Sequence, residues 1–223
     1  MISLIKKVML RLIPLSIKKQ VNNFNLLAKE YGQYKTIRHW NCIDNSGNKI
    51  PWYTYPCIEY LNNIDFHNKK VFEYGSGNSS GFWARKSQSI LSVEDDEDWY
   101  ENVLSEAIDN QTIILKEQKK DYVSCLDKKF DVIIIDGKHR LECAKHAIQF
   151  VNSGGIIILD NSERKEEKVA AKYIRKNFEC LQVDFHGFGP INDYTWTTSI
   201  FFSRDCVITP LDDIQPNKPI GST

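Results

Sequence analysis

The stretch Val71-Phe-Glu-Tyr-Gly-Ser-Gly-Asn-Ser-Ser-Gly81 constrains this chain more than any other. A polar break, Asn68-Lys69-Lys70, leads into a short apolar run that contains an acid, Glu73, and stops at two glycines one residue apart, Gly75 and Gly77. Ser79 to Ser87 then reads as a helix. Without Cβ atoms the two glycines let the backbone take positive φ and let a ligand come close. The following helix offers free N–H groups at its start. Strand, tight turn and helix N-terminus at the first strand of an open α/β sheet make a cradle for a nucleotide-type cofactor.

The rest of the chain repeats the alternation. Ile90–Val93, Thr112–Leu115, Phe130–Asp136 and Gly154–Asp160 read as further strands. Phe130–Asp136 is a near-continuous apolar run, as a buried parallel strand requires. Helices are expected from about Asp96 to Asp109, with Trp99, Val103, Leu104 and Ile108 on one face, and over Arg140–Asn152 and Glu163–Phe178, the last with Val169 and Ile174 inward. Pro56 opens a shorter helix that runs to about Asn63. Leu181–Phe185 and Thr197–Phe202 have no helix between them and read as a hairpin, which sets one antiparallel strand in an otherwise parallel sheet. The expected fold class is α/β, a doubly wound, mostly parallel sheet. Residues 1–50 are expected to form an N-terminal extension, irregular or weakly helical from 21 on. Residues 51–205 form the cofactor-binding domain, and 206–223 a loosely ordered tail.

Composition narrows the class. Twenty-nine basic and 29 acidic residues cancel, which argues against a nucleic-acid partner held by bulk charge. The six cysteines show no metal spacing and read as reduced thiols of a cytoplasmic protein. Residues 1–20 mix apolar positions with Lys6, Lys7, Arg11, Lys18 and Lys19. The pattern could pass for a signal peptide, but Arg11 and Pro14 interrupt the apolar run, and it is expected neither to be one nor to span a membrane. It reads as a basic amphipathic helix that packs on the domain or on a partner subunit, as in a homodimer, or lies peripherally on an anionic membrane.

In such a sheet, ligands sit at the carboxyl ends of the strands. Those ends carry Glu73, Gly75–Asn78, Glu94, Asp136–His139 and Asp160–Ser162. Glu94 can accept hydrogen bonds from both hydroxyls of a ribose. A dinucleotide fingerprint needs G-x-G-x-x-G, and here Gly81 sits one position late.

On these residues, together with Asp131–Gly137 and Gly154-Gly155, the chain from Trp52 to about Phe202 resembles the class I S-adenosylmethionine-dependent methyltransferases. The resemblance implies a seven-stranded Rossmann-like methyltransferase fold with a C-terminal β-hairpin, binding S-adenosylmethionine. By position, Gly75 and Gly77 would hold the methionine end, with Ser76, Asn78 and Asp136 beside them. Glu94, with Asp95, would hold the ribose, Glu73 would contact the methionine amino group or support the turn, and Asp121 would reach the adenine.

Ile135–Arg140 resembles the Asp-Gly-x-His segment of small-molecule and sugar O-methyltransferases. Asp160-Asn161 looks like the Asp-Asn pair of the catechol-type, metal-dependent group. Asp136, Asp160 and Asn161 would then converge on a divalent cation such as magnesium. The alternative has Asp160 capping the next helix and Asp136 bonding loop amides or cofactor. The catechol-type group has a lysine where this chain has His139. His139 is the expected base, with Asp136 at its side. In the loop before the last strand, His186, Tyr194 and Trp196 either contact the acceptor or anchor the hairpin. The function implied is O-methylation of a small-molecule or glycan hydroxyl. The alternatives are an NAD(P)-dependent oxidoreductase and a non-catalytic cofactor-binding scaffold.

Overall fold

The apolar runs build seven strands: β1 Lys70–Tyr74, β2 Ser89–Glu94, β3 Gln111–Leu115, β4 Phe130–Ile135, β5 Val151–Asp160, β6 Cys180–Gly187 and β7 Trp196–Ser203. The structure is a computed structural model, which describes residues 13–222. The sheet order is β3-β2-β1-β4-β5-β7-β6. Neighbours from β3 to β5 pair in parallel, and β7 pairs antiparallel with both β5 and β6. The order reverses between β1 and β4, so the crevice for a ligand opens where Tyr74 and Ile135 end.

The central strands are apolar on both faces because each face carries a helical layer. Phe72, Tyr74, Ile133, Ile135, Ile157 and Leu159 pack on one side, with α6 (Lys119–Val123), α7 (Arg140–Ala147) and α8 (Glu167–Asn177). Val71, Val132, Ile134, Ile156 and Ile158 pack on the other, with α3 (Tyr55–Asn62) and α4 (Asn78–Lys86). Alternate residues of a strand point to opposite faces, which sorts one apolar run into two cores.

Several sequence expectations shift. The helix expected over 96–109 is α5, Glu97–Leu104. Asp96 caps it by accepting the Trp99 N–H at 2.9 Å. The cap turns Trp99 outward, and of the four residues expected on one face only Val103 is buried. Val169 on α8 is also exposed. Strand β5 starts at Val151, with a register break opposite β4 at Gly154-Gly155. A Cβ on Gly155 would lie 2.8 Å from the Asp131 carbonyl, so the strand can pass there only as glycine.

The stretch from 21 to 50, read as irregular or weakly helical, holds the end of α1 (Leu15–Asn25), a π-turn (Leu26–Glu30) and α2 (Gln33–His39). Cys42 and Ile50 belong to the same core as α3 and α4. The tail folds back over α3: Leu211 N–H reaches the Asn63 carbonyl at 2.9 Å, and Ile220 N–H reaches Glu59 at 2.6 Å. Of the N-terminal segment 1–20, residues 1–12 lie outside the described residues. No helix among the described residues is long and apolar enough to cross a membrane.

Candidate active site

The glycine turn is held from below. Gly77 N–H donates to Ser80 Oγ at 3.0 Å, and the Ser80 and Ser92 hydroxyls donate to Glu73 Oε2 at 2.5 and 2.8 Å. Glu73 is fully buried, and its Oε1 has no hydrogen-bond partner. Burial pushes its pKa up to about 7 against the opposing hydrogen bonds of Ser79, Ser80 and Ser92. Glu73 therefore acts on the turn through Ser80 and does not line the cavity above.

Gly75 (φ +89) meets the other half of the crevice directly. A Cβ on it would lie 2.9 Å from Gly137 Cα, and one on Gly137 would lie 2.0 Å from the Tyr122 hydroxyl. The ends of β1 and β4 touch through two glycines. Gly77 is extended, and a Cβ there would meet only the Trp99 ring at 3.7 Å, so the backbone from Ser76 to Ser79 faces open space.

Glu94 closes β2 and is buried. Its Oε2 accepts both the N–H and the hydroxyl of Ser76 at 2.9 Å, and its Oε1 accepts the Asp95 N–H at 3.0 Å. The carboxylate is thus committed to the loop. Trp99 Nε1 donates to the Ser76 carbonyl at 2.7 Å, which lays the indole against the turn as a wall. Asp95 pairs with Lys138 at 2.9 Å across the crevice. Asp121 is exposed on α6, away from the cavity.

Opposite the glycine turn, Asp136, Asp160 and Asn161 converge, and what they meet is Arg140. Its Nη2 donates to Asp136 Oδ1 at 3.0 Å and to the Asp136 carbonyl at 2.9 Å. Its Nη1 donates to the Asp160 carbonyl at 2.5 Å and to Asn161 Oδ1 at 3.3 Å, and its Nε to the Gly137 carbonyl at 3.0 Å. The guanidinium sits among these residues, and its planar fork takes the Asp136 carboxylate, the Asn161 amide oxygen and the Asp160 main-chain carbonyl. Among the described residues no group of three or more His, Cys, Asp or Glu is placed to hold a metal. These residues do not fit a resident cation.

Asp160 Oδ1 accepts from the Thr198 hydroxyl and from Trp196 Nε1, the latter at 3.2 Å. Burial, and then the nearby Asp136 charge, hold the Asp160 carboxyl far above the usual carboxylate range. Asp136 is raised too, by burial, and drawn back by Arg140 and Arg164. Arg140 thus pairs with the Asp136 carboxylate, while the Asp160 carboxyl is held by Thr198 and Trp196.

Between the two halves lies a cavity of about 610 Å³. Ser76–Ser79 and Trp99 form one wall, Asp136, Arg140 and Asp160–Asn161 another, and Trp40, Trp52, Ile191 and Tyr194 the mouth. Of the four non-glycine positions with positive φ among the described residues, three line it, Trp40, Asn161 and Ile191; the fourth is His139. Strain of this kind persists where the surrounding structure fixes it and gathers at functional sites. Here α2 does the fixing. Gln33 Nε2 donates to the Gly189 and Asn192 carbonyls at 3.1 and 3.0 Å, and the Ile191 N–H donates to Thr36 Oγ1 at 2.8 Å.

Other candidates fall elsewhere. The His139 ring stacks edge-on near Tyr122, 6.4 Å between centroids, and does not line the cavity. His186 lies on β6 with Nδ1 2.7 Å from Thr197 Oγ1. Trp196 is buried and orients Asp160, while Tyr194 lines the mouth. Arg140 and Arg164 were missed as site residues, although each stands four residues after an acid that ends a strand, Asp136 and Asp160. Trp40 and Asn41 carried no local signal; they reach the cavity only through the packing of α2.

No protein-family model matches the chain, and no curated protein sequence matches it significantly. Among solved structures, a methyltransferase from Pyrococcus furiosus aligns with a TM-score of 0.50 at 14% identity, over 66% of this chain and 80% of that one. The chain has the methyltransferase fold. A methyltransferase homolog protein from Pyrococcus horikoshii aligns at 0.49 and 11% identity over 64% of each chain. The N-methyltransferase NodS from Bradyrhizobium japonicum WM9 aligns at 0.48 and 9% over 65% of this chain and 89% of that one. In the methyltransferase fold seen here, the cavity sits at the switch point between β1 and β4.

Proposed function

We propose that the protein is an S-adenosylmethionine-dependent methyltransferase that modifies a hydroxyl of a small molecule or glycan. The observation that carries this reading is one cavity with an open glycine turn on one wall and a cation-paired acid on the other. When bound, S-adenosylmethionine supplies an electrophilic sulfonium methyl. The chain's part is to hold the acceptor in line, exclude water and take its proton. Asp136 is the acid in position to do so, and Arg140 steadies its carboxylate. Asp160, held by Trp196 and Thr198, lines the same wall beside it. The exposed faces of Trp40, Trp52 and Tyr194, with the Arg164 cation among them, suit a polar ring, as in a sugar or a phenol.

Calorimetry with S-adenosylmethionine, S-adenosylhomocysteine and NAD tests the cofactor. Binding of S-adenosylhomocysteine without NAD is expected; NAD binding with no response to S-adenosylhomocysteine overturns the reading and favours the oxidoreductase. A screen of sugars and phenols with labelled methyl donor then finds the acceptor, and incorporation of label excludes the inert scaffold. On that acceptor, Asp136→Asn is expected to lower kcat by about 10²–10⁴-fold with unchanged S-adenosylhomocysteine affinity. His139→Ala is expected to keep most of the activity. The reverse result moves the base to His139.

A further inference from the structure

Charge is distributed unevenly along a chain that is neutral as a whole. Six of the 29 basic residues and none of the 29 acids fall within the first 29 positions, which leaves 23 basic and 29 acidic residues downstream. Helix α1 lies in that basic stretch, carries Lys18 and Lys19, and has no buried residue. Neither lysine is in an ion pair among the described residues. Ile17, Val21 and Phe24 recur at i, i+4 and i+7, so they share one face. They are 52%, 51% and 67% exposed and line a shallow apolar groove of about 360 Å³ with Ser16 and Gln20.

The far end of the helix is fixed. Beyond Asn25 the chain enters the π-turn, where Leu27 and Tyr31 pack on the core and the Tyr31 ring lies 4.8 Å from that of Tyr55. Leu26 touches Gly221 of the returning tail. Among the described residues α1 itself packs substantially only on the turn that follows it. An apolar face is thus held outward by an anchored root.

We infer that α1 lies flat on an anionic lipid surface, with Ile17, Val21 and Phe24 in the acyl boundary and Lys18 and Lys19 among the headgroups. Charge selects this occupant. A second copy pairing helix to helix in parallel would set Lys18 and Lys19 near their own images, and α1 carries no acid to pair with them in either direction. At 11 residues the helix is about 16 Å long, too short to span a bilayer but long enough to lie in its interface. The net negative charge of the rest of the chain turns that body away from the same surface, which orients the molecule. The inference stands apart from the methyl-transfer reading.

Co-sedimentation of the full chain with phosphatidylcholine vesicles, with and without phosphatidylglycerol, tests it. The protein is expected in the pellet only with phosphatidylglycerol, and to leave it at about 1 M salt, where charges are screened within about 3 Å. Lys18→Glu with Lys19→Glu should lower the bound-to-free ratio by at least about tenfold. Phe24→Ser should lower it without changing the salt dependence, and an unchanged melting curve shows that both variants are folded. Equal sedimentation with neutral vesicles, or none with either, overturns the inference. So does a dimer in size-exclusion chromatography that Phe24→Ser dissociates, which would assign the face to a second copy.

Discussion

Glu73 shows how one side chain ties the site to pH. It is an acid with no counter-ion, and its folded-state pKa is raised from 4.5 to about 7. Below about pH 4.5 both folded and unfolded chains hold the proton, and its full contribution to stability is present. Between about 4.5 and 7 the unfolded chain alone ionises and stability falls; above about 7 the loss is complete, roughly 3 kcal/mol. Glu73→Gln keeps an oxygen for Ser80 and Ser92 but cannot ionise. Denaturant midpoints are expected to fall less between pH 4.5 and about 8 in the variant than in the parent. An equal fall in both would place the titrating group elsewhere. Arg140 makes the second prediction at this scale. Because a guanidinium bridges Asp136, Asp160 and Asn161, turnover is expected to survive chelation with EDTA unchanged. Activity lost on chelation and restored by magnesium would overturn that.

At the scale of elements, the site is made where strand ends meet. β1 and β4 close on each other through Gly75 and Gly137, and no side chain fits at either position. Gly137→Ala would drive a methyl into the Tyr122 hydroxyl and the Gly75 backbone. Such overpacking typically costs about 1–3 kcal/mol, and urea denaturation is expected to show a loss in the upper part of that range. A variant as stable as the parent would mean that α6, which carries Tyr122, moves aside freely. Helix α2 contributes in another way, by clamping the 189–192 loop through Gln33 and Thr36. That loop brings Ile191, Asn192 and Tyr194 to the cavity mouth.

For the whole molecule, the stable body and the N-terminal helix are separable. No residue of α1 is buried, whereas Leu27, Tyr31, Cys42 and Ile50 pack with the main core. Removing residues 1–25 is expected to change unfolding free energy by less than about 1 kcal/mol. Removing residues 1–50 would strip the Gln33 and Thr36 clamp and the Trp40–Cys42 wall, and is expected to lower the melting temperature clearly. Thermal unfolding of the two truncations checks this; equal behaviour would mean that residues 26–50 add nothing to the core.

The sequence by itself determined the alternation of strands and helices, the reversed last strand and the glycine turn. These follow from short-range rules: apolar runs bounded by polar breaks, Cβ-free positions, and the absence of a helix between the final two strands. It also brought Glu73, Glu94, Asp136 and Asp160 to strand ends, because a parallel sheet gathers those ends on one edge. Only the tertiary structure decided what those acids touch. Glu94 turned to the Ser76 loop and Asp136 to Arg140, since a buried carboxylate takes the nearest donors and pairwise geometry is not written in spacing. His139 faced Tyr122, and Trp99, read only as part of one helix face, became a wall of the cavity, because a helix cap sets which way a residue points. The glycine turn is half of a pocket whose other half arrives from α2, from β5 and from the loop before β7, segments that meet it only once the sheet has formed.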